Sequence, residues 1–460
     1  MNVILFSAIW GLVMMFSGIF IQKKSAAKGV AFVGALLLLG ANIGDMQGLT
    51  LLTSDFNGML LFDRFGHLLL TVLIVSLLFY FLLSADDIEK VGNHPYEYFT
   101  LIFFVFAGIG LVTYFNHLLI LFLGIEIISI PLYILTGTDK RNLKSNEASL
   151  KYFLMGAFST GIMLMGIALL YGAHGTFRLE GINMSDTQNI LLLTSMGVVL
   201  MLIAMSFKVS AAPFHFWTPD VYDGAPTVFT GYMATIVKAA GFIAFLRLFE
   251  NAFGSMTAVW QTLLAVLTAL TLFVGNITAV FQQSVKRMLA YSSIAQAGFM
   301  MFAVFAVNDM AKQGLLLYAA AYCLATLSIF AVLAKMKDYT FEGFNGFAKQ
   351  QPLIAGVLVI SVFSLAGIPL TAGFFAKYFV LAAAVKTGLH FWLIIFAVVM
   401  AAVSVYYYFR LVQAMYFKEG EAQTLEFSSA FKYVLSVMAV LVLLLGLFPH
   451  QLLLNWFTLY

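Results

Sequence analysis

Apolar residues run along the chain in long, nearly unbroken stretches separated by short clusters of charged and polar residues. Neither the strict alternation of a half-buried strand nor the one-sided stripe of a surface helix organises them. A helix crossing a bilayer needs roughly 20 apolar residues in a row. Stretches of that kind lie near residues 3–21, 30–48, 64–84, 97–115, 117–136, 149–171, 190–212, 226–249, 258–281, 287–307, 311–334, 352–385, 389–417 and 430–455. The pattern predicts an all-α polytopic membrane protein of about fourteen transmembrane helices, thirteen being the alternative count. A transmembrane barrel is excluded, because its strands would read as alternating runs of about ten residues.

Two of these stretches are interrupted. In the seventh, FKVSAAPFHFWTPDVYDGAP (207–226) carries a lysine, three prolines, a histidine and two aspartates, and Pro213 and Pro219 are expected to break the helix. In the twelfth, SLAGIPLTAGFFAKYF places Pro369 beside Gly367. Broken segments five helices apart predict two inverted five-helix repeats, helices 4–8 and 9–13, with helices 7 and 12 discontinuous. The expected organisation is residues 1–96 for helices 1–3, 97–249 for the first repeat, 258–418 for the second, and 430–460 for a C-terminal helix. The repeats do not match residue for residue, since Lys208 precedes its break and Lys377 follows its own.

Composition agrees and narrows the function classes. Of 460 residues, 62% are hydrophobic and 10% charged, with a mean hydropathy of +0.98, which excludes a soluble domain. The net charge of +3 is spread over loops, so no nucleic-acid partner is expected. Cys323 is the only cysteine, which excludes an internal disulfide and cysteine-based metal or iron–sulfur centres. No Gly-rich nucleotide fingerprint occurs. The first apolar run lacks a preceding basic region and is followed by Lys23, Lys24 and Lys28, the order of an uncleaved first helix. With the N-terminus outside, about 15 basic residues fall on inner loops, against Arg64, Arg178, Arg247, Lys312 and Lys386 on outer ones. That bias predicts both termini on the outer side of the membrane.

Lys151, Lys208, Lys238, Lys377 and Glu126 fall within apolar segments. A charge at a helix centre costs roughly 2.5–3.5 kcal/mol on the insertion scale, so these groups must be paired or hydrated. Burial penalises the charged form, which suits such groups to taking up and releasing protons. Glu126 is either a structural ion-pair partner or an acid that modulates a neighbouring lysine. Lys208, just ahead of Pro213, reads as a proton-loading site beside a helix break, with snorkelling as the plain alternative. Lys238, about a dozen residues into its helix, and Lys377, about eight past Pro369, read as relay positions. Lys151 stands near the start of its segment, within snorkelling reach of the interface. His215 suits proton exchange between its two nitrogens or a hydrogen bond satisfying the break. Asp220 and Asp223 read as capping and turn residues, and Trp217 and Tyr406–Tyr408 as interface or packing aromatics.

At these residues the chain resembles a known family. The run FKVSAAPFHFWTPDVYDGAPTVFTGYMATIVKAAGF is similar to the signature of the antiporter-like subunits of respiratory complex I, the proton-translocating NADH:quinone oxidoreductase. SLKYFLMGAFSTGIMLMGIALLYG, GNITAVFQQSVKRMLAYSSIAQAGFMM and SLAGIPLTAGFFAKYF extend the likeness over nearly the whole chain, and WTPDVYDGAP is closer to subunit N than to subunits L and M. The resemblance implies Glu126 and Lys208 as the proton-input pair, Lys238 as central relay and Lys377 as terminal residue, with Lys151 and His215 auxiliary. It implies no cofactor or metal in this chain. NADH, FMN, iron–sulfur clusters and quinone would belong to partner subunits, with K-, M- and L-type subunits and lipid as neighbours. Quinone reduction elsewhere would change the field along the membrane arm, part Glu126 from Lys208 and drive a proton onward. Each charge moved works against about 2.3 kcal/mol per 100 mV. Two rivals remain: a cation/proton antiporter using the same lysines, which should need more membrane acids than Glu126, and a scaffold that moves nothing.

Overall fold

The structure is a computed structural model that describes residues 1–21, 24–49, 56–92, 94–182 and 188–455. Lys23, expected on the inner side, and the last five residues, expected on the outer side, lie outside the described residues. The helices are α1 (Asn2–Phe20), α2 (Lys24–Met46), α3 (Arg64–Val91), α4 (Pro95–Tyr114), α5 (Leu118–Thr136), α6 (Leu143–His174), α7 (Gln188–Lys208), α8 (Trp217–Gly224), α9 (Thr227–Tyr232), α10 (Lys238–Asn251), α11 (Thr257–Val280), α12 (Val285–Ala306), α13 (Asp309–Leu333), α14 (Phe347–Gln350), α15 (Pro352–Ala366), α16 (Ala372–Val385), α17 (Phe391–Phe417) and α18 (Ser429–Leu447). A π-helical stretch, Met233–Val237, joins α9 to α10 in a single crossing.

Among the described residues, thirteen helices are long and apolar enough to cross a membrane. Helices α15 and α16, of 15 and 14 residues, are each too short and together form one further crossing, giving the expected fourteen. Local chemistry sets the boundaries. Asp63, Asn142, Ser284, Asn308 and Ser428 cap α3, α6, α12, α13 and α18 through their side chains. Pro95 and Pro352 open α4 and α15, where a missing N–H costs nothing. Helix α6 starts six residues before its apolar stretch, because Lys144, Asn146 and Glu147 lengthen it into the polar zone.

The two repeats pack alike. Helix α4 lies on α5 as α11 lies on α12; α6 lies against α7 and α8 as α13 lies against α15 and α16; α10 touches α4 as α17 touches α11. Helix α13 is the centre of the bundle, with every residue from Gly314 to Leu333 buried. Exposed apolar side chains such as Phe16, Phe158, Ile395 and Val398 line α1, α6 and α17, the perimeter facing lipid. Cys323 is buried and free on α13.

Candidate proton path through the bundle

Glu126 lies on α5 with Oε1 buried and without a hydrogen-bond partner. Pro131, inside the same helix, leaves the carbonyl of Ile127 without its helical donor. Lys208, the last residue of α7, donates to Ser129 Oγ at 3.1 Å, one turn from Glu126. Ser129 lies three residues from Glu126 on α5, so its bond brings the lysine to the acid's side of that helix. Among the described residues no ion pair within 4.0 Å joins the two, so the acid sits beside the lysine without clamping it.

The seventh crossing stops at Lys208 and resumes at Trp217. Its last carbonyls are closed locally: Ala211 N donates to Ser206 O at 2.8 Å, and the Trp217 indole donates to Phe207 O at 3.2 Å. Ser210 takes a positive φ of 66° and the Ala212–Pro213 peptide is cis. Ala212 N donates to Thr271 Oγ1 of α11 at 2.9 Å, so the second repeat helps to hold the break of the first. Pro219 does not break a helix, contrary to expectation: it is the third residue of α8, where its N–H would have had no helical acceptor. His215 is 6% exposed, lies within the break, and its Nδ1 has no partner.

Helix α10 passes this break closely. A Cβ added to Gly241 would lie 3.4 Å from Val209 Cγ1, one turn from Lys238. Lys238 follows the π-helical stretch directly, a local widening that recurs at functional sites. It is 3% exposed, and its Nζ donates to Ser293 O at 3.0 Å and Ser293 Oγ at 2.6 Å on α12.

Helix α12 then connects Lys238 to Lys377. Gln296, three residues beyond Ser293 and on the same face, donates to Leu365 O at 2.8 Å. Lys377 Nζ donates to that same Leu365 O at 2.8 Å and to Ala366 O at 2.9 Å. Phe299, one turn further along α12, lies under the Lys377 ammonium at 4.4 Å. These carbonyls end α15, where the helix dipole favours a cation. Gly367, at φ 84°, turns the chain away, and a Cβ on Gly373 would fall 1.8 Å from Ser364 O, so the second break has room only for glycine there. A cavity of about 10 Å³ bounded by Gln296, Tyr318, Tyr322, Ser364 and Gly373 sits beside this junction, at the threshold for one water.

Lys151 is not brought into this series. It pairs with Glu147 and with Asp220, each at 2.7 Å, while Asp220 also pairs with Arg287 at 3.1 Å, a half-exposed network joining α6, α8 and α12. Asp220 is therefore an ion-pair hub rather than a cap. Several contributors carried no signal of their own. Lys286, one of the basic residues that the sequence assigns to the inner loops, is 3% exposed and donates to Asp223 O at 2.9 Å and Ala225 O at 2.7 Å, closing the end of α8. Tyr407 and Tyr408 are buried beneath the exposed Tyr406. Tyr407 donates to Asn276 at 3.1 Å, and Tyr408 accepts from Gln296 at 3.1 Å and is bonded to Ser292. Trp217 is buried and stacks on Tyr152. Among the described residues there is no group of three metal-ligating side chains.

Residues 116–404 match the family model described as NADH:quinone oxidoreductase/Mrp antiporter, transmembrane. The fold also superposes on a chain of the Mrp complex from Dietzia sp. DQ12-45-1b, with TM-score 0.83 and 19% identity over 98% of this chain and 95% of that one. At that identity the likeness is one of fold alone. Fold and charged crossings thus define an antiporter-like membrane subunit. The sequence narrows the class: it is 40% identical to NADH-quinone oxidoreductase subunit N of Cytophaga hutchinsonii over 98% of this chain and 99% of that one. A chain of respiratory complex I from Thermus thermophilus, solved with bound aureothin, matches with TM-score 0.85 and 32% identity over 98% of both chains. The chain belongs to the NADH-quinone oxidoreductase subunit N family.

Proposed function

We propose that this chain is a proton-translocating subunit in the membrane arm of an NADH:quinone oxidoreductase, and that Glu126, Lys208, Lys238 and Lys377 carry the protons. The single observation that supports this most is the shared use of Leu365 O by Gln296 and Lys377, one turn of α12 from the serine that holds Lys238. Oxidation of NADH and reduction of quinone take place in partner subunits, which hold the FMN and iron–sulfur clusters, and the field they generate acts here. Glu126, lacking a fixed partner, changes its distance to Lys208; Lys208 then gives its proton toward Lys238 across the break. From Lys238 the proton passes by way of the Ser293 hydroxyl and water in the small cavity to Lys377, with Gln296 orienting that junction, and Lys377 exchanges with one side of the membrane. His215 lies within the first break as an auxiliary acceptor, and Lys151 holds α8 in place through Asp220.

On this reading residues 1–96 form a lateral three-helix unit, 97–249 and 258–418 the two translocating repeats, and 430–460 a closing helix. K-, M- and L-type subunits adjoin the chain in a bacterial inner membrane, with both termini periplasmic. Replacing Lys208 or Lys377 with Ala and measuring NADH-driven quinone reduction and proton pumping in membranes tests the assignment. Pumping is expected to fall at least tenfold with electron transfer reduced; assembled complex with unchanged pumping overturns it. A cation/proton antiporter, alone or in a multi-subunit complex, is disfavoured by the absence, among the described residues, of acids clustered to ligate a cation.

A further inference from the structure

Helices α12 and α13 form an antiparallel hairpin that turns at Val307 and Asn308. Residues equally far from that turn are therefore level across the pair. Gln296 and Tyr318 show this register, since the Tyr318 hydroxyl donates to Gln296 Oε1. One turn further from the hairpin, Ser293 stands fourteen residues before Val307 and Tyr322 fourteen after Asn308, so these two residues are level as well. Each is 2% exposed.

Both carry hydrogen-bonding capacity that their neighbours leave open. A hydroxyl has one proton to give and two lone pairs. Ser293 Oγ spends a lone pair on Lys238 Nζ at 2.6 Å, so its own proton is left to point elsewhere. Tyr322 Oη is buried and without a partner. A tyrosine that only packs would be more stable as phenylalanine, because a buried hydroxyl left unbonded costs free energy. Tyr318, the other tyrosine bounding the small cavity, is already committed to Gln296. Tyr322 bounds the same cavity together with Leu365, whose carbonyl holds Lys377. It stands between the serine on Lys238 and the water-sized space beside Lys377.

We propose, on the path through α12 set out above, that the Tyr322 hydroxyl is the proton-transfer group between Ser293 and water in that cavity. Ser293 donates to Tyr322 Oη, and Tyr322 donates to one water, which satisfies both hydroxyls. Transfer breaks one N–H bond at Lys238 and forms one at a neutral Lys377. Ser293 Oγ takes the Lys238 proton as it gives its own to Tyr322, Tyr322 gives its own to the water, and the water gives one to Lys377 Nζ. Every oxygen ends with as many protons as it began with, so no phenolate forms. Rotation of the hydroxyls restores the starting order.

Tyr322→Phe removes one oxygen and keeps the ring. In inverted membrane vesicles, with complex content matched on native gels, protons moved per NADH oxidised are expected to fall severalfold. The solvent deuterium isotope effect on NADH-driven pumping is expected to rise. Thermal stability of the complex is expected to change little, because the vacated space admits water that accepts from Ser293. Tyr318→Phe, which strands Gln296 Oε1, is the control for packing and is expected to lower stability. An assembled Tyr322→Phe complex with wild-type pumping and isotope effect overturns the proposal; the lysine path falls with it only where Lys238→Met also pumps normally. Lost pumping with an unchanged isotope effect and destabilisation equal to that of Tyr318→Phe marks a packing residue and overturns it too. If Tyr322→Phe does not assemble, electron cryomicroscopy of the wild-type complex at a resolution that shows water decides. A water bonded to Tyr322 Oη, with Ser293 Oγ in hydrogen-bond reach, is expected; a dry cavity or a Tyr322 hydroxyl out of reach of Ser293 overturns the assignment.

Discussion

The two broken crossings carry one lysine each, and they hold it by different means. At the second break, Lys377 is part of the construction: it donates to Leu365 O and Ala366 O, the carbonyls that α15 leaves open. At the first, the backbone closes on itself, Trp217 and Thr271 supply the remaining bonds, and Lys208 reaches away to Ser129 beside Glu126. The job that Lys377 does for α15 is done for α8 by Lys286, on another helix. An inverted repeat thus reuses one device, a lysine ammonium on the carbonyl end of a half-helix. In the first repeat that device is separated from the lysine next to the acid. The lysine free of structural duty is the one whose surroundings can change cheaply, which suits an input site. The one bound into the backbone suits a fixed terminus.

Breaking the geometry of the second crossing should have the largest effect. Gly373→Ala forces a Cβ onto Ser364 O, and assembled complex on native gels is expected to fall below a tenth of wild type. Next comes Lys377→Met, which leaves Ala366 O without a donor, at about 1–3 kcal/mol. Both NADH-driven pumping and thermal stability of the complex should drop. Lys208→Met separates the two roles: Ser129 keeps its bond to Ile125 O at 2.7 Å, so pumping should fall at least tenfold while thermal stability shifts little. Equal destabilisation by the two lysine variants would remove the contrast between the breaks. Gln296→Leu takes away the amide between Lys238 and Lys377 and is expected to slow pumping severalfold, with restoration by Gln296→Glu or Gln296→Asn marking a polar, water-orienting role over a packing one. The smallest effect belongs to Lys151→Ala. Its partners are half-exposed, and such pairs are worth within about 1 kcal/mol, so pumping measured in membrane vesicles should stay within twofold.

Much of this arrangement was legible in the chain. Fourteen crossings, the two breaks and the acid and lysines inside apolar segments all leave a mark in hydropathy, because lipid tolerates neither open backbone nor charge without cause. What escaped was whatever reads as ordinary in one dimension. Lys286 stands beside Arg287 at the start of α12 and looks like another loop cation, yet α8 folds its carbonyls over it. Gln296, Tyr407 and Tyr408 are neutral and common at membrane edges, and only the packing of α12 on α15 and α17 turns them inward. Pro219 looked like a second breaker because a proline's harm depends on its place in the turn. The π-helical widening ahead of Lys238 has no compositional signature in MATIV. Lys151 carried a charge in an apolar run, but its partner Asp220 is 69 residues away and appears only once α8 packs on α6.

The proposed proton path is joined through α12, with Lys238 at its middle. Replacing Lys238 with Met and measuring protons moved per NADH oxidised in inverted membrane vesicles, with complex content matched on native gels, tests it most directly. The expected outcome is an assembled complex in which NADH-driven proton movement falls at least tenfold. An assembled Lys238→Met complex that moves as many protons per NADH as wild type would contradict it.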